Sequence, residues 1–215
     1  MKVLVIGKGK MANCLKKLYP NEIIDMIDQT EDILSFNKDI DGVIDFSHHS
    51  LLNSVLTMCV KNKYPLVIGT TDLDNENLLE VDNAKKSIPI CLDSNYSLGI
   101  LSMKRCIESL SSFTFKKIVV SETHHVSKKD IPSGTALSLK KFLNKMFSNE
   151  IIIKSYREGE VNGIHKIDFI NDNESISIRH EAYNRDIFAE GAMTALTILK
   201  NRRAKLYNFE EIING

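Results

Sequence analysis

The chain has 215 residues, 43% of them apolar, which is enough to bury one large core or two small ones and excludes a disordered chain. Lys+Arg and Asp+Glu number 28 each, so no net charge points to a nucleic-acid backbone or an anionic membrane surface, and a small-molecule partner fits better. The four cysteines, Cys14, Cys59, Cys91 and Cys106, form no CxxC pair and read as reduced thiols in a reducing cytosol.

In the first part of the chain, short β-branched runs alternate with helical spacing. Strands are expected at Lys2–Ile6, Glu22–Asp28, Gly42–Phe46, Pro65–Gly69 and Pro89–Leu92, and helices at Met11–Tyr19, Leu51–Val60 and Asn75–Lys86. This is the pattern of a parallel sheet covered by crossover helices. Gln29–Asn37 is short and polar for a crossover, and whether it is helical stays open. The first strand begins at Lys2 without a signal-peptide pattern, and no apolar run approaches the roughly 18 residues of a membrane span; a cytoplasmic protein is expected.

Gly7-Lys8-Gly9-Lys10-Met11-Ala12 stands directly after the first strand and opens a helix, with Asp28 closing the second strand. A lone G-x-G-x-x-A is weak; at strand one and helix one, with an acidic residue at this distance, it is a dinucleotide fingerprint. Gly7 permits the tight turn, Gly9 the approach of backbone to pyrophosphate, and Ala12 close helix–strand packing, while Asp28 would accept from the ribose hydroxyls. Lys8 and Lys10 are further candidates for phosphate contact. Gly69-Thr70-Thr71 after strand four and Asp93-Ser94-Asn95-Tyr96 after strand five lie at carboxyl ends of parallel strands, where open α/β sheets bind ligands.

After Asn95 the pattern changes. A helix is expected at Leu98–Leu110, a buried strand at Phe115–Val120, a helix over Ala136–Phe147, then consecutive strands at Ile151–Tyr156, Lys166–Ile170 and Ser175–Arg179, the last two joined by the turn residues Asn171-Asp172-Asn173. Consecutive strands without intervening helices signal a mixed or antiparallel sheet, hence a second domain. A final helix, Ile187–Lys200, leads into a tail expected to pack back on the first domain. The fold expected is α/β: a Rossmann-like domain of residues 1–95, joined by 196–215, and an α+β domain of residues 96–195 for substrate, catalysis and oligomerisation.

The densest chemistry lies in Ser121-Glu-Thr-His-His-Val-Ser-Lys-Lys-Asp-Ile-Pro-Ser-Gly-Thr135. His124 and His125 sit at a strand end, Lys128 follows, and Ser133 reads as the N-cap of a helix whose first N–H groups suit a carboxylate or phosphate. Glu122 shares the His124 face at i, i+2, where it would orient that ring or pair with a lysine at the surface. There is no H-E-x-x-H, no Cys/His ligand spacing and no carboxylate at i+3 or i+4 from either histidine, so no catalytic metal is expected.

This string resembles the signature of the 4-hydroxy-tetrahydrodipicolinate (dihydrodipicolinate) reductase family, Glu-x-His-His, a Lys three residues on, then Asp-x-Pro-Ser-Gly-Thr-Ala, matched here by Glu122, His124, His125, Lys128, Asp130, Pro132, Ser133, Gly134, Thr135 and Ala136. The Gly69-Thr70-Thr71, Asp93–Ser97, Asp45-Phe46-Ser47 and Arg157–His165 segments resemble further family segments, as do Arg179-His180-Glu-Ala182, Arg185 and Phe188–Ala192, so the likeness covers nearly the whole chain. The departures are Asp72 where the family commonly has Gly, His48 where an Arg often stands, and a shorter chain after Asp28 and before Arg157. The resemblance implies hydride transfer from NADH or NADPH to a cyclic imine dicarboxylate in diaminopimelate and lysine biosynthesis. It implies His124 as proton donor, Lys128 as the positive charge beside the substrate, and His125, Ser133, Gly134 and Thr135 as substrate-binding residues. It further implies Gly7 to Ala12, Asp28, Gly69 to Thr71 and Asp93 to Tyr96 as the cofactor wall, and a homotetramer built through the second domain's sheet. Another two-domain nicotinamide oxidoreductase of amino-acid metabolism, or a noncatalytic dinucleotide sensor, would share the first domain but not the string from Glu122 to Thr135.

Overall fold

A computed structural model describes all residues from Met1 to Gly215. It divides into two compact units, one made of Met1–Tyr96 with Asp186–Gly215 and the other of Ser97–Arg185.

The first unit is a six-stranded parallel sheet of β1 (Val3–Ile6), β2 (Ile23–Ile27), β3 (Gly42–Asp45), β4 (Leu66–Ile68), β5 (Pro89–Leu92) and β10 (Lys205–Tyr207), in the order β10-β5-β4-β3-β1-β2. Strands β1, β3 and β4 are buried throughout, which is why they read as unbroken apolar runs rather than as alternation. Helices α1 (Lys10–Leu18) and α7 (Asp186–Leu199) belong to one core layer, with Val3, Val5, Leu15, Ile44, Val67 and Leu196; α3 (Leu52–Asn62) and α4 (Asn75–Ala84) belong to the other, with Leu4, Ile6, Val43, Leu66 and Ile68. The order reverses on either side of β1, which sets the switch point between β1 and β3, where this architecture binds nucleotides.

The open question at Gln29–Asn37 resolves as a six-residue helix, α2 (Thr30–Ser35), started by Glu31 and Asp32 in the first turn and buried through Ile33. The tail expected to return to the first unit does so as β10 and α8 (Phe209–Asn214), with Asn208 and Glu211 forming a reciprocal capping box. The boundary expected at residue 195 is displaced to 186. The reason is the small-residue face of α7: Ala189, Ala192 and Ala195 are fully buried in the first unit's core, and a Cβ on Gly191 would stand 1.7 Å from Tyr96 O.

The second unit is a four-stranded mixed sheet, ordered β7-β6-β8-β9, of β6 (Lys117–His124), β7 (Ile151–Arg157), β8 (Gly163–Ile170) and β9 (Ser175–Ala182). β6 and β7 are parallel, joined across α6 (Gly134–Leu143), while β6–β8 and β8–β9 are antiparallel. Helices α5 (Leu98–Glu108) and α6 cover one face, where Ile100, Met103, Ile107, Leu139 and Leu143 meet Ile118, Val120, Ile167 and Phe169. Strand period two therefore sends Ile118, Val120, Glu122 and His124 to the same face of β6. The last two of these are polar residues continuing a core stripe.

Candidate active site

In the second unit, Glu122, His124 and His165 are buried polar residues at one end of the sheet, joined there by Arg157 from β7. Glu122 has no exposed surface and its Oε2 meets His124 Nδ1; neither atom has another hydrogen-bond partner. Glu122 Oε1 accepts from Arg157 Nη1 at 3.1 Å and from the Ser133 N–H at 3.4 Å. Burial works to raise the Glu122 carboxyl, but the bonds from Ser155 and Arg157 and the charge of His124 outweigh it and hold the group below its ordinary range. The surface Glu–Lys pairing is thus not formed; Lys128 pairs instead with Asp130, Nζ to Oδ1 2.7 Å.

Burial lowers the His124 pKa, Glu122 pulls it back up, and Lys128 and Arg157 push it down, for a net lowering. The His165 ring stands edge-on to His124 with centroids 5.2 Å apart, and burial first, then His124 and His180, press it down to about 3. His165 is therefore a neutral wall at ordinary pH. Arg157 also donates from Nε to Lys128 O at 3.2 Å and from Nη2 to Asp130 O at 2.6 Å, bracing the loop that carries Lys128. Neither Arg157 nor His165 had an assigned role in the sequence; the signal was their place in the Arg157–His165 segment, and pairing of β6 with β7 and β8 is what brings them in.

The expected substrate residues divide. His125 lies just beyond β6, half-buried, with Nδ1 2.8 Å from Ser127 Oγ, and Lys128 N–H closes the turn on His125 O. Ser133 is the N-cap of α6, as read, and its side chain is turned inward: it is 2% exposed, its Oγ accepts from Ala136 N–H and faces His165 Nε2, and its own N–H turns to Glu122. It braces the helix start from inside, between His165, Glu122 and the first turn of α6. Gly134, in contrast, is exposed, and a Cβ there would meet nothing within 4 Å, so the start of α6 at Gly134 stays open to an anion; half-buried Thr135 follows it.

Glu122, His124 and His165 offer ligand atoms within 4.8 Å of one another, a convergence across β6 and β8 invisible to sequence spacing. The guanidinium on Glu122 Oε1 is a cation already placed against that carboxylate, which suits a hydrogen-bonded array better than a metal shell.

In the first unit, Gly7 holds φ +108°, and a Cβ there would be 2.6 Å from Phe46 O. Gly9 caps α1 without a side-chain bond and has open space beside it, so the first N–H groups of the helix are left for a ligand beside exposed Lys10, while Met11 packs partly, and Ala12 fully, into the core. Asp28 is met by Lys8 Nζ at 2.9 Å, each holding the other more firmly charged. Thr70, Thr71, Asp72, Leu92, Asp93 and Ser94 line a cleft of about 370 Å³ at the carboxyl ends of β4 and β5. Asp72 has φ 59°, a left-handed conformation that explains a common Gly at this position and that Asp tolerates better than most residues.

Two of the expected cofactor residues also have partners within the protein. Tyr96 is 1% exposed and its hydroxyl donates to Ile68 O at 2.7 Å, so its ring is part of the core. Asp93 spends its oxygens on Asn95 N–H and Phe209 N–H, tying β5 to the start of α8. A wider cleft of about 560 Å³, between Arg202 and Gly215, holds none of the motif residues.

The model for "Dihydrodipicolinate reductase, N-terminus" matches residues 1–96 and that for "Dihydrodipicolinate reductase, C-terminus" matches residues 99–213. The chain belongs to the dihydrodipicolinate reductase family. Relatives named 4-hydroxy-tetrahydrodipicolinate reductase include one from Alkaliphilus oremlandii, 34% identical over 100% of this chain and 99% of its own length, and one from Brachyspira hyodysenteriae, 34% identical over 99% and 100%. Among solved structures, the dipicolinate-bound dihydrodipicolinate reductase of Paenisporosarcina sp. TG-14 shares the fold with a TM-score of 0.74, at 20% identity over 97% of both chains. A probable dehydrogenase of Thermotoga maritima shares it more loosely, with a TM-score of 0.62 at 10% identity, over 99% of this chain and 92% of its own.

Proposed function

We infer that the chain reduces 4-hydroxy-tetrahydrodipicolinate, by way of dihydrodipicolinate, to tetrahydrodipicolinate with NADH or NADPH, a step of diaminopimelate and lysine biosynthesis. The observation that carries this reading is the full-length match to both halves of the family, in a chain whose buried Glu122–His124 pair stands beside the first turn of α6.

Reduced nicotinamide, when bound, supplies a hydride to the ring carbon of the conjugated system left after loss of water. The Gly7–Ala12 turn, the open start of α1 and Asp28 hold the dinucleotide, and the cleft at Thr70, Thr71 and Ser94 borders it. His124 gives a proton to the neighbouring ring carbon, which takes up the electron density that hydride addition pushes onto the framework. Lys128 keeps a positive charge beside the substrate while that density is present. Gly134 and Thr135 receive one carboxylate at the helix start, and His125 receives the substrate from beyond the strand end. The protein works as a homotetramer in the cytoplasm; no helix is long and apolar enough to cross a membrane.

The test is loss of reduced-nicotinamide absorbance with freshly made 4-hydroxy-tetrahydrodipicolinate, using unrelated oxo acids as controls. Oxidation is expected with the dicarboxylate alone, and a planar pyridine dicarboxylate should compete with it. No oxidation with either NADH or NADPH would refute the reading. Light scattering on the eluting protein would test the tetramer.

A further inference from the structure

The His124 ring has two nitrogens, and its surroundings treat them differently. Nδ1 faces an ionised carboxylate, which can only accept, so the proton of the neutral ring belongs on Nδ1. Nε2 faces Gly163 at the start of β8, where even a methyl group would stand 3.2 Å from it. The missing side chain keeps that side of the ring open. The carboxylate is itself fixed by Arg157, Ser133 and Ser155, so it cannot swing away from the ring without breaking those bonds.

We propose that Glu122 is a positioning residue for the reduction: clamped by Arg157, it holds the His124 proton on Nδ1 and leaves Nε2 as the atom that delivers a proton to substrate. The inference rests on His124 being the proton donor. In the step, the imidazolium loses the Nε2 proton to the ring carbon, the new C–H bond uses the electron pair released by hydride addition, and the neutral ring keeps its Nδ1–H on Glu122 until solvent reprotonates Nε2. Arg157 acts twice, because the guanidinium that pins Glu122 also holds the carbonyls of Lys128 and Asp130. The charged and titratable groups facing His124 are Glu122 from its own strand, Arg157 from β7, His165 from β8, and Lys128 with Asp130 from the following loop; His180 on β9 faces it only through His165.

Glu122→Gln keeps an acceptor for Arg157 and Ser133 but turns an amide donor toward Nδ1. The expected result is a kcat lower by roughly 10²-fold or more, with KM for substrate and cofactor changed only a few-fold. The alkaline limb of the kcat profile should move to lower pH, since the negative charge favouring the imidazolium is gone. Glu122→Asp should restore part of the rate. Nitrogen NMR of the His124 ring should report Nδ1–H in the unmodified protein and Nε2–H in Glu122→Gln. Gly163→Ala, which leaves the carboxylate alone, should lower kcat roughly tenfold without changing the tautomer. A Glu122→Gln kcat within a few-fold of normal, an unmoved alkaline limb, or the same tautomer in both proteins would overturn the role of Glu122; a normal Gly163→Ala rate would overturn Nε2 as the delivering atom. Absence of turnover in the unmodified chain would refute the reduction itself, whereas turnover with an Nε2–H ring would refute only this inference.

Discussion

Asp45 ends β3 with no exposed surface, and its carboxylate accepts from Ser47 N–H at 3.0 Å, Ser47 Oγ at 2.5 Å and Thr70 Oγ1 at 2.9 Å. It thereby ties the loop after β3 to the Gly69–Thr71 segment after β4. Burial raises its pKa from 3.8 to about 6, against the pull of the Ser47 and Thr70 hydroxyls. Because the folded state binds this proton more tightly than the unfolded one, the group's contribution is most favourable below pH 4. It is lost as pH rises to about 6, by roughly 3 kcal/mol in all. For a chain of this size that corresponds to a change in Tm of roughly 6–12 °C. Asp45→Asn keeps the shape, leaves one oxygen for both Ser47 donors, and lets Thr70 Oγ1 accept from the amide. Calorimetric Tm values for the two proteins from pH 4 to pH 7 should show the variant gaining on the unmodified chain by about that amount as pH rises. All other titrating groups are common to both, so a constant difference across the range would refute the argument.

Three other outcomes are expected. His124→Gln and Lys128→Met should each lower kcat by about 10²–10⁴-fold while fluorescence titration finds dinucleotide affinity nearly unchanged. NADH should serve at least as well as NADPH, because Asp28 ends β2 beside neutral Gln29, and Gln29→Arg should shift kcat/KM toward NADPH; a large NADPH preference in the unmodified protein would mean that Lys8, paired with Asp28, dominates the choice. Gly191→Ala should cost more than the usual 1–3 kcal/mol of core overpacking, read by urea unfolding, since its Cβ falls 1.7 Å from the Tyr96 carbonyl oxygen.

The central strands were legible because β1, β3 and β4 are buried on both faces and their residues are unbroken β-branched or apolar runs. The glycine turn and the Ser133 cap were legible because both are local: the chemistry of a turn or a cap is written in adjacent residues. β10 was not, since three residues with one outward lysine carry no period and pair only because β5 offers an edge. The array around His124 was half legible. Glu122 at i, i+2 follows from the strand period alone, whereas Arg157 and His165 arrive through pairing register, which no single sequence states. The internal partners of Tyr96 and Asp93 were illegible for the same reason: Ile68 and Phe209 lie far along the chain.

The first unit's sheet is closed by residues from both ends of the chain, with Ser97–Arg185 lying between them. During synthesis β1 to β5 emerge while Val3, Val5, Ile44 and Val67 still lack the Ala189–Leu199 face that covers them. The second unit, continuous in sequence, is complete before the first. The protein is thus made with its buried Glu122–His124 array complete ahead of the parallel sheet, and an apolar sheet face waits for α7 through the production of some ninety residues. That interval is where a chaperone has an apolar surface to hold.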